Sequence, residues 1–320
     1  MLVPGYYSRF RCLADRCPDN CCHGWAVPVD ASSAARYRGL SGPQWDGLRR
    51  NLREEEGETL LQNHGGRCPM QESSGLCRIQ AALGEEALCR TCRDYPRLRH
   101  EYPGFTEGDL DLGCPEAARL ILISPEAPAQ PETDDPVLAL LISSRIKADQ
   151  ILTAYPLGDA LCVLLFYGCH IQAILDGDDP GAFDEKAALL DARLLAKNGN
   201  LNALLSFFAG LDILDSRWRE RLSSPAPEDW NESHRALSRY LVRRFWLQTA
   251  SDGDLYARVK LIVTSVLVIR ALGKDAAFRY AREVFSDPEN LEALLTAAYS
   301  EPAMTDERLL SLLQGGMEGL

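Results

Sequence analysis

The sequence predicts a mainly α-helical protein in which an irregular, cysteine-rich N-terminal region packs on an α-helical C-terminal domain. Nine of the eleven cysteines lie in the first 114 residues. Helical spacing of apolar residues runs almost without interruption through the C-terminal half. Between them, the segment SPEAPAQPETDDP is rich in proline and acid and poor in apolar side chains. We therefore expect a cysteine-rich region over 1–123, a linker over 124–136 and a helical domain over 137–320.

The helices of the C-terminal half have recognisable starts. Asp135 and Pro136 combine a capping carboxylate with a proline at the first helical position, and they open the segment VLALLISSRIKADQILTAY. Asp287 and Pro288 repeat this signal, and Asn231 is a further candidate cap. The other helices are predicted over 158–175, 185–197, 200–222, 231–250, 254–272, 274–285, 289–299 and 305–314. No segment of this half shows the period-two alternation of a strand.

The cysteine-rich region contains fewer helical segments. Ser41 to Pro43 are predicted to open a helix that runs through QWDGLRRNLREEEGETLLQ, and Pro115 opens a second one directly after Cys114. Between these helices the chain is predicted to form loops, because NHGGRCPMQESSGLCR carries three glycines and a proline.

Composition and charge exclude several classes of protein. The net charge of −12 argues against a nucleic-acid partner, because phosphate binding needs a basic surface. The first residues lack the basic start and apolar run of a secretory signal. No apolar stretch reaches the roughly 20 residues of a membrane span, and the best candidate, LIVTSVLVI at 261–269, is predicted to be a core helix. We expect a cytoplasmic protein without a transmembrane segment, in which thiols stay reduced.

The clustered cysteines are the strongest functional signal. The stretch RCLADRCPDNCC alone carries four of them, and a Cys-x2-Cys pair follows later in the region. Cysteines on irregular backbone can direct several thiolates at one point, which a regular helix cannot do. Buried apolar thiols and disulfides are the ordinary alternatives, and the composition and compartment favour metal binding over both. The predicted metal ligands are Cys12, Cys17, Cys21, Cys22, Cys68, Cys77, Cys89, Cys92 and Cys114.

The spacing favours an iron–sulfur cluster over zinc. A zinc ribbon usually has two Cys-x2-Cys pairs, and this region has one. Adjacent Cys21 and Cys22 point to opposite sides of an extended backbone, so they suit a large cluster or two centres better than one ion. Nine thiols exceed the four that one centre needs. One possible group is Cys77, Cys89, Cys92 and Cys114, and the other is Cys12, Cys17, Cys21, Cys22 and Cys68.

Other residues have both a functional and an ordinary interpretation. His23 is a possible ligand, although a local hydrogen-bonding role is more common. Tyr95 either orients an amine or packs against the metal centre. Arg90, Arg93 and Arg97 either offset the charge of the thiolates or form a solvated face. Four further side chains are expected to be inert, as small core residues (Cys162 and Cys169) or as exposed histidines (His64 and His100).

Four segments together resemble the flagellin lysine-N-methylase family: RFRCLADRCPDNCCHGWAV, RCPM, GLCRIQAALGEEALCRTCRDYPR and LGCPEAARLIL. They span about residues 6–123 and include all nine clustered cysteines. More distantly, they resemble the wider group of zinc- or iron-chelating proteins that begin with a CxxCxxCC motif. The resemblance implies methyl transfer from S-adenosylmethionine to flagellin lysines, with a 4Fe–4S cluster held by this region.

The usual signatures of S-adenosylmethionine binding are not found in the sequence. Its glycine-rich segments NHGGR and QGGMEG do not follow predicted strands, as they would in a doubly wound sheet. The Cys-x3-Cys-x2-Cys triplet of radical enzymes is also missing, because Cys21 is followed directly by Cys22. Polar and radical methyl transfer both remain open, and so does a second function, non-enzymatic storage or delivery of zinc or iron.

Overall fold

The computed structural model describes residues 1–19, 21–55, 57–63, 66–123 and 129–315. The described residues are mainly α-helical, as predicted. Their helices are α1 Ala31–Gly39, α2 Asp46–Asn51, α3 Arg78–Leu83, α4 Arg90–Asp94, α5 Pro115–Ile123, α6 Pro136–Ala154, α7 Leu157–Leu175, α8 Glu185–Leu195, α9 Leu201–Ala209, α10 Ser216–Ser223, α11 Glu232–Phe245, α12 Leu255–Leu272, α13 Ala277–Tyr280, α14 Pro288–Ser300 and α15 Asp306–Gln314. Their strands are β1 Val27–Pro28, β2 Leu52–Glu55, β3 Glu58–Leu61, β4 Arg97–Tyr102 and β5 Phe105–Leu110.

The helices of the C-terminal half begin where their caps predict. Asp135, Asn231 and Asp287 each accept hydrogen bonds from backbone N–H groups of the first turn, which stabilises those helix starts. The predicted helix over 200–222 is instead two helices, because α9 ends before Gly210 and Asp215 caps α10 anew. The predicted helix over 274–285 is a 3₁₀ turn, the short α13 and the π-helix Ala281–Phe285.

Helix α12 is the centre of the larger core. All of its residues except Tyr256 are buried, and it packs against α7, α11 and α14. The apolar stretch at 261–269 is therefore a core helix, as predicted. By length and composition, α7 is long and apolar enough to cross a membrane, and 61% of its apolar window is buried inside the protein. Our expectation that 261–269 was the best candidate span was wrong, because α7 is the longer apolar helix.

The cysteine-rich region contains strands that the sequence analysis missed. The predicted helix over 44–62 stops at Asn51, and the chain continues as the antiparallel pair β2–β3. Gly57, with φ of +87°, provides the turn between them, a conformation that glycine adopts without strain. Leu52 and Leu61 are cross-strand partners and point into a small core, so burial of both overrides the helical propensity of the glutamates.

The β4–β5 hairpin joins the two halves of the chain through buried ion pairs. Glu107 and Asp109 alternate along β5, and Asp111 continues that spacing just beyond it. Each of the three carboxylates forms an ion pair with an arginine of the helical domain. Glu107 lies 2.7 Å from Arg145 on α6. On α11, Arg243 lies 2.7 Å from Asp109 and Arg244 lies 3.6 Å from Asp111. The hairpin therefore presents a polar face to the helices, the reverse of the usual pattern.

The buried apolar residues form two cores. The smaller core lies entirely within the cysteine-rich region and runs from Val27 to Cys89. The larger core contains the helical domain together with Tyr6, Phe10 and the buried side of α5. The predicted boundary at 124–136 stays a prediction, since residues 124–128 lie outside the described part of the chain.

Candidate metal centre

Backbone hydrogen bonds bring the cysteine-bearing loops together. The amide of Cys68 donates to the carbonyl of Cys22 at 2.8 Å, and the amide of Gly24 donates to the carbonyl of Gly66 at 3.1 Å. An isolated antiparallel bridge then pairs Gln71 with Cys77. Loops that are far apart in sequence are thus joined edge to edge at Cys22, Cys68 and Cys77.

Three of the cysteines stand at the starts of short helices. Cys77 and Cys89 occupy the N-cap positions of α3 and α4, and Cys114 directly precedes α5. At Cys77 and Cys114 burial raises the thiol pKa, and hydrogen bonds from backbone N–H groups of the following turn oppose that rise, whereas at Cys89 the interaction with Cys92 lowers the pKa. At Cys114 burial outweighs these hydrogen bonds and raises the pKa to about 11. The N–H groups are placed to stabilise sulfur in its thiolate form.

Two pairs of thiols are in direct hydrogen-bond contact. A hydrogen bond from Cys22 lowers the pKa of Cys21, and the same bond raises the pKa of Cys22. Cys89 and Cys92 form an equivalent pair, in which Cys89 has the lowered pKa and Cys92 the raised one. In each pair one sulfur is therefore prepared to lose its proton at a lower pH than its partner.

Cys21 interacts electrostatically with most of the other clustered thiols. Burial is the main cause that raises their pKa, and the negative charge of Cys21 raises it further. The thiols affected in this way are Cys17, Cys68, Cys77 and Cys114. The charge of Cys21 also acts on Cys92. Cys21 is therefore electrostatically coupled to thiols from several of the cysteine-bearing loops.

Cys12 interacts with Cys17, because its charge raises the pKa of that thiol after the larger effect of burial. The side chain of Cys12 is exposed, and its sulfur accepts a hydrogen bond from the amide of Ala14 at 3.4 Å. Among the described residues, no three His, Cys, Asp or Glu side chains are grouped closely enough to hold a single metal ion. The two sequence-based groupings are not kept separate by the structure, because Cys21 of one group interacts with Cys77, Cys92 and Cys114 of the other.

An ion-pair network fastens the cysteine loop to the helical domain. Asp19, between Cys17 and Cys21 in sequence, is buried and forms salt bridges with Arg279 and, at 2.8 Å, with Arg282. Arg282 also donates to the carbonyl of Gly113 at 2.7 Å, beside Cys114. These arginines lie on α13 and the π-helix, and no motif in the sequence marks them as neighbours of the cysteines. Sequence reasoning therefore missed them.

A cavity of about 170 Å³ opens beside this network. Asp19 and His23 form one wall, and Arg279, Arg282 and Glu283 form part of the other. Glu283 is 2% exposed, and burial raises its pKa to about 7. A larger depression of about 410 Å³ also exists, but its lining residues all come from the helical domain.

The ordinary interpretation holds for some of the remaining predicted residues. The ring nitrogen Nε2 of His23 is 2.9 Å from Oε1 of Gln71, so this histidine has a local hydrogen-bond partner. Tyr95 packs against Trp25, and burial raises its pKa well above the usual value. Arg93 forms exposed ion pairs with acidic neighbours, and Arg97 lies over the ring of Phe10.

Two expectations for the remaining side chains were wrong. Cys162 is buried as predicted, but Cys169 is exposed because the end of α7 reaches the surface. His100 on β4 is half-buried, with its Nε2 atom unpartnered, because the hairpin packs on α11. His64 lies outside the described residues.

The fold and the site define a mainly α-helical protein with an irregular N-terminal region in which nine cysteines are concentrated. The chain is similar to Lysine-N-methylase from Salmonella typhimurium, with 34% identity over 137 residues, which are 40% of this chain and 34% of that protein. It is also similar to Flagellar biosynthetic protein FliU from Salmonella muenchen, with 33% identity over 134 residues, which are 39% of this chain and 79% of that protein. Lysine-N-methylase from Salmonella choleraesuis matches at 33% identity over 34% of its length.

These similarities identify the family. The chain belongs to the flagellin lysine-N-methylase family, as its cysteine-rich segments predict. The matched part spans about a third of the length of the two lysine-N-methylases. No family model matches the chain, and no solved structure matches it.

Proposed function

We propose that this protein is an S-adenosylmethionine-dependent protein-lysine N-methyltransferase that acts on flagellin in the cytoplasm and carries a thiolate-bound 4Fe–4S cluster. The observation that supports it most strongly is the electrostatic coupling of Cys21 to Cys77, Cys92 and Cys114, in a chain similar to proteins named Lysine-N-methylase. Membership of the family supports the class of reaction, and the thiols support the presence of a metal centre.

The donor set fits an iron–sulfur cluster. Such clusters are held by cysteine thiolates and are tuned by hydrogen bonds to sulfur. Backbone N–H groups reach the sulfurs of Cys68, Cys77, Cys89 and Cys114. Arg282 supplies a positive charge that lowers the pKa of Cys21, after the larger effect of the hydrogen bond from Cys22. In this proposal Cys17, Cys21, Cys89 and Cys92 would hold the cluster, which would supply either a cross-link between the cysteine-bearing loops or an electron.

The second candidate function is non-enzymatic binding of zinc or iron, for storage or delivery. The same thiols support it, because thiolates also bind zinc tightly. The two functions differ in one requirement: a methyltransferase must bind S-adenosylmethionine, and a metal store has no use for it.

The test is methyl transfer under anaerobic conditions. Purified protein, radiolabelled S-adenosylmethionine and unmethylated flagellin are combined, and labelled lysines are located by mass spectrometry. We expect a brown protein that contains iron and sulfide, bleaches in air and labels flagellin lysines. A colourless protein with stoichiometric zinc and no binding of S-adenosylmethionine would contradict the proposal and favour the metal store. Flagellin with chemically acetylated lysines is the matched control and should stay unlabelled.

A further inference from the structure

The cavity beside the cysteines contains one carboxyl group that the ion-pair network does not use. Asp19 and Asp215 each form salt bridges with arginines. Glu283 accepts a hydrogen bond from the amide of Leu214 at 2.8 Å through Oε2, and no salt bridge engages it within the described ranges of the chain. It lies on the π-helix Ala281–Phe285, a rare local structure that is frequent at functional sites.

We propose that this cavity receives the side chain of the substrate lysine and that Glu283 takes the proton from its ε-ammonium group. The inference rests on the proposed function and identifies the place within the protein where the amine is prepared for attack. Among the residues that line the cavity, we assign only Glu283 to direct contact with the substrate.

The size of the cavity suits one long side chain. Sites for drug-sized ligands and cofactors usually have volumes of about 300–1,000 Å³. At about 170 Å³ this cavity has room for a lysine side chain but not for a nucleoside as well. The methyl donor must therefore approach from outside the cavity.

The charges around the cavity favour a neutral amine. A nearby positive charge disfavours the ammonium form of lysine, and burial acts in the same direction. Arg217, Arg279 and Arg282 line the cavity together with the carboxyl groups of Asp19, Asp215 and Glu283, so transfer of the proton to Glu283 leaves three positive charges against two negative ones. This excess of positive charge disfavours return of the proton to the amine.

Glu283 is suited to accept that proton. Its pKa is raised to about 7, chiefly by burial and to a smaller extent by Asp215, against opposing effects of the Leu214 amide and Arg279. Arg217, Arg282, Asp19 and His23 are the other charged or titratable groups that line the cavity. A base with a pKa close to the working pH combines the correct protonation state with adequate proton affinity.

The step conserves atoms and charge. A proton moves from the ε-ammonium nitrogen to a carboxylate oxygen of Glu283, which leaves a neutral amine and a carboxylic acid. The nitrogen lone pair then forms a bond with the methyl carbon of the sulfonium donor. The carbon–sulfur bond breaks, and its electron pair stays on sulfur as the neutral thioether product.

The decisive variant is Glu283→Gln, which keeps an oxygen for the amide of Leu214 and removes the base. For the native protein we expect kcat/KM on lysine peptides to rise with pH and to level off above about 7. We expect Glu283→Gln to lower kcat/KM by about 10²–10³-fold near pH 7.5 and to abolish this acidic limb. The matched control is Glu292→Gln, which replaces an exposed carboxylate on the neighbouring α14. This substitution should change neither kcat/KM near pH 7.5 nor the acidic limb.

Two further measurements keep the inference testable. Infrared difference spectra of the native protein should show a carboxyl group that titrates near pH 7 and is missing in Glu283→Gln. If that variant fails to fold, Glu283→Asp should keep the acidic limb with about tenfold lower kcat, since its carboxylate is withdrawn from the amine.

The failures of the two proposals are distinguishable. If the native protein methylates lysine and Glu283→Gln keeps both its rate and its acidic limb, the inference is overturned and the proposed function stands. If the native protein methylates no lysine, the proposed function fails, and the inference fails with it.

Discussion

The two regions of this molecule are held together by different forces. In the helical domain, α12 buries every residue but one against three other helices, and helix caps define where its neighbours begin. In the cysteine-rich region, α1 to α4 have five to nine residues and the strands have two to six, around a small apolar core. Such short elements bury little surface. We therefore predict that this region depends on metal-bound thiols for its stability, while the helical domain depends on apolar burial.

The contact between the two regions relies on buried ion pairs, and not only on thiols or apolar burial. Buried carboxylates at Asp19, Glu107 and Asp109 meet arginines from the helices. A buried ion pair contributes little net stability, but loss of one partner leaves a charge without compensation. The contact is therefore intolerant of single substitutions, and it fixes the cysteine loop in one position on the helices.

The largest effect is expected from cysteine substitutions. We predict that Cys→Ser changes at Cys17, Cys21, Cys89 and Cys92 remove the metal, because each deletes a thiolate ligand. The matched control is Cys162→Ser in the helical domain, which should keep full metal content at a cost of roughly 1 kcal/mol in packing. Cys169→Ser should also keep the metal. Iron, zinc and sulfide per monomer decide the question, and full metal in the double variant of Cys89 and Cys92 would refute the proposed centre.

Metal removal should separate the two regions. Binding energy in such a site is folding energy, so chelation is expected to loosen the small core between Val27 and Cys89. Because α12 carries none of the proposed metal ligands and is stabilised by apolar burial, its amides should stay protected in hydrogen exchange after the metal is removed. Equal loss of protection in both regions would contradict the proposal that the two regions are stabilised by different forces. Protection of α5 after chelation would place the functional boundary before residue 115 and not at 124–136.

The sequence predicted the helical domain better than the cysteine-rich region, for a physical reason. Caps such as Asp135 and Asn231 act locally, so their pattern is readable along the chain. The hairpin β4–β5 was missed because Glu107 and Asp109 are on its buried face, and their burial depends on arginines more than 35 residues away. Likewise, the nine cysteines were visible at once, whereas Arg282 and Glu283 become part of the site only through folding.

A buried ion pair between the regions gives the next largest effect. Arg145 makes two hydrogen bonds with Glu107, at 2.7 and 2.8 Å, and both side chains are almost fully buried. We expect Arg145→Leu to destabilise the protein by about 3–5 kcal/mol, since it leaves the carboxylate buried and unpaired. The double change Arg145→Leu with Glu107→Leu should recover most of that loss. Denaturant unfolding of the native protein, the two single variants and the double variant gives a double-mutant cycle. An unchanged unfolding midpoint for Arg145→Leu would contradict the prediction.

The smallest effect is a dependence of stability on pH to which two buried side chains of the helical domain contribute with opposite signs. Burial raises the pKa of Glu283 from 4.5 to about 7, so between these values the folded protein binds more protons than the unfolded chain. Its contribution to stability therefore falls as pH rises through this window, by roughly 3 kcal/mol in total. Burial lowers the pKa of His234 on α11 from 6.5 to about 4, so the contribution of that histidine rises with pH over 4 to 6.5.

Because these two contributions oppose each other, the native protein alone shows little of either. The measurement is therefore a difference in unfolding free energy between the native protein and Glu283→Gln, from pH 4.5 to 8. We expect the variant to gain stability relative to the native protein as pH rises, and to reach a constant advantage above pH 7. Glu292→Gln, whose carboxylate is exposed, should show no such trend. A flat difference for Glu283→Gln would mean that this carboxyl group titrates as it does in water, and that the helical wall of the cavity is as hydrated as the protein surface.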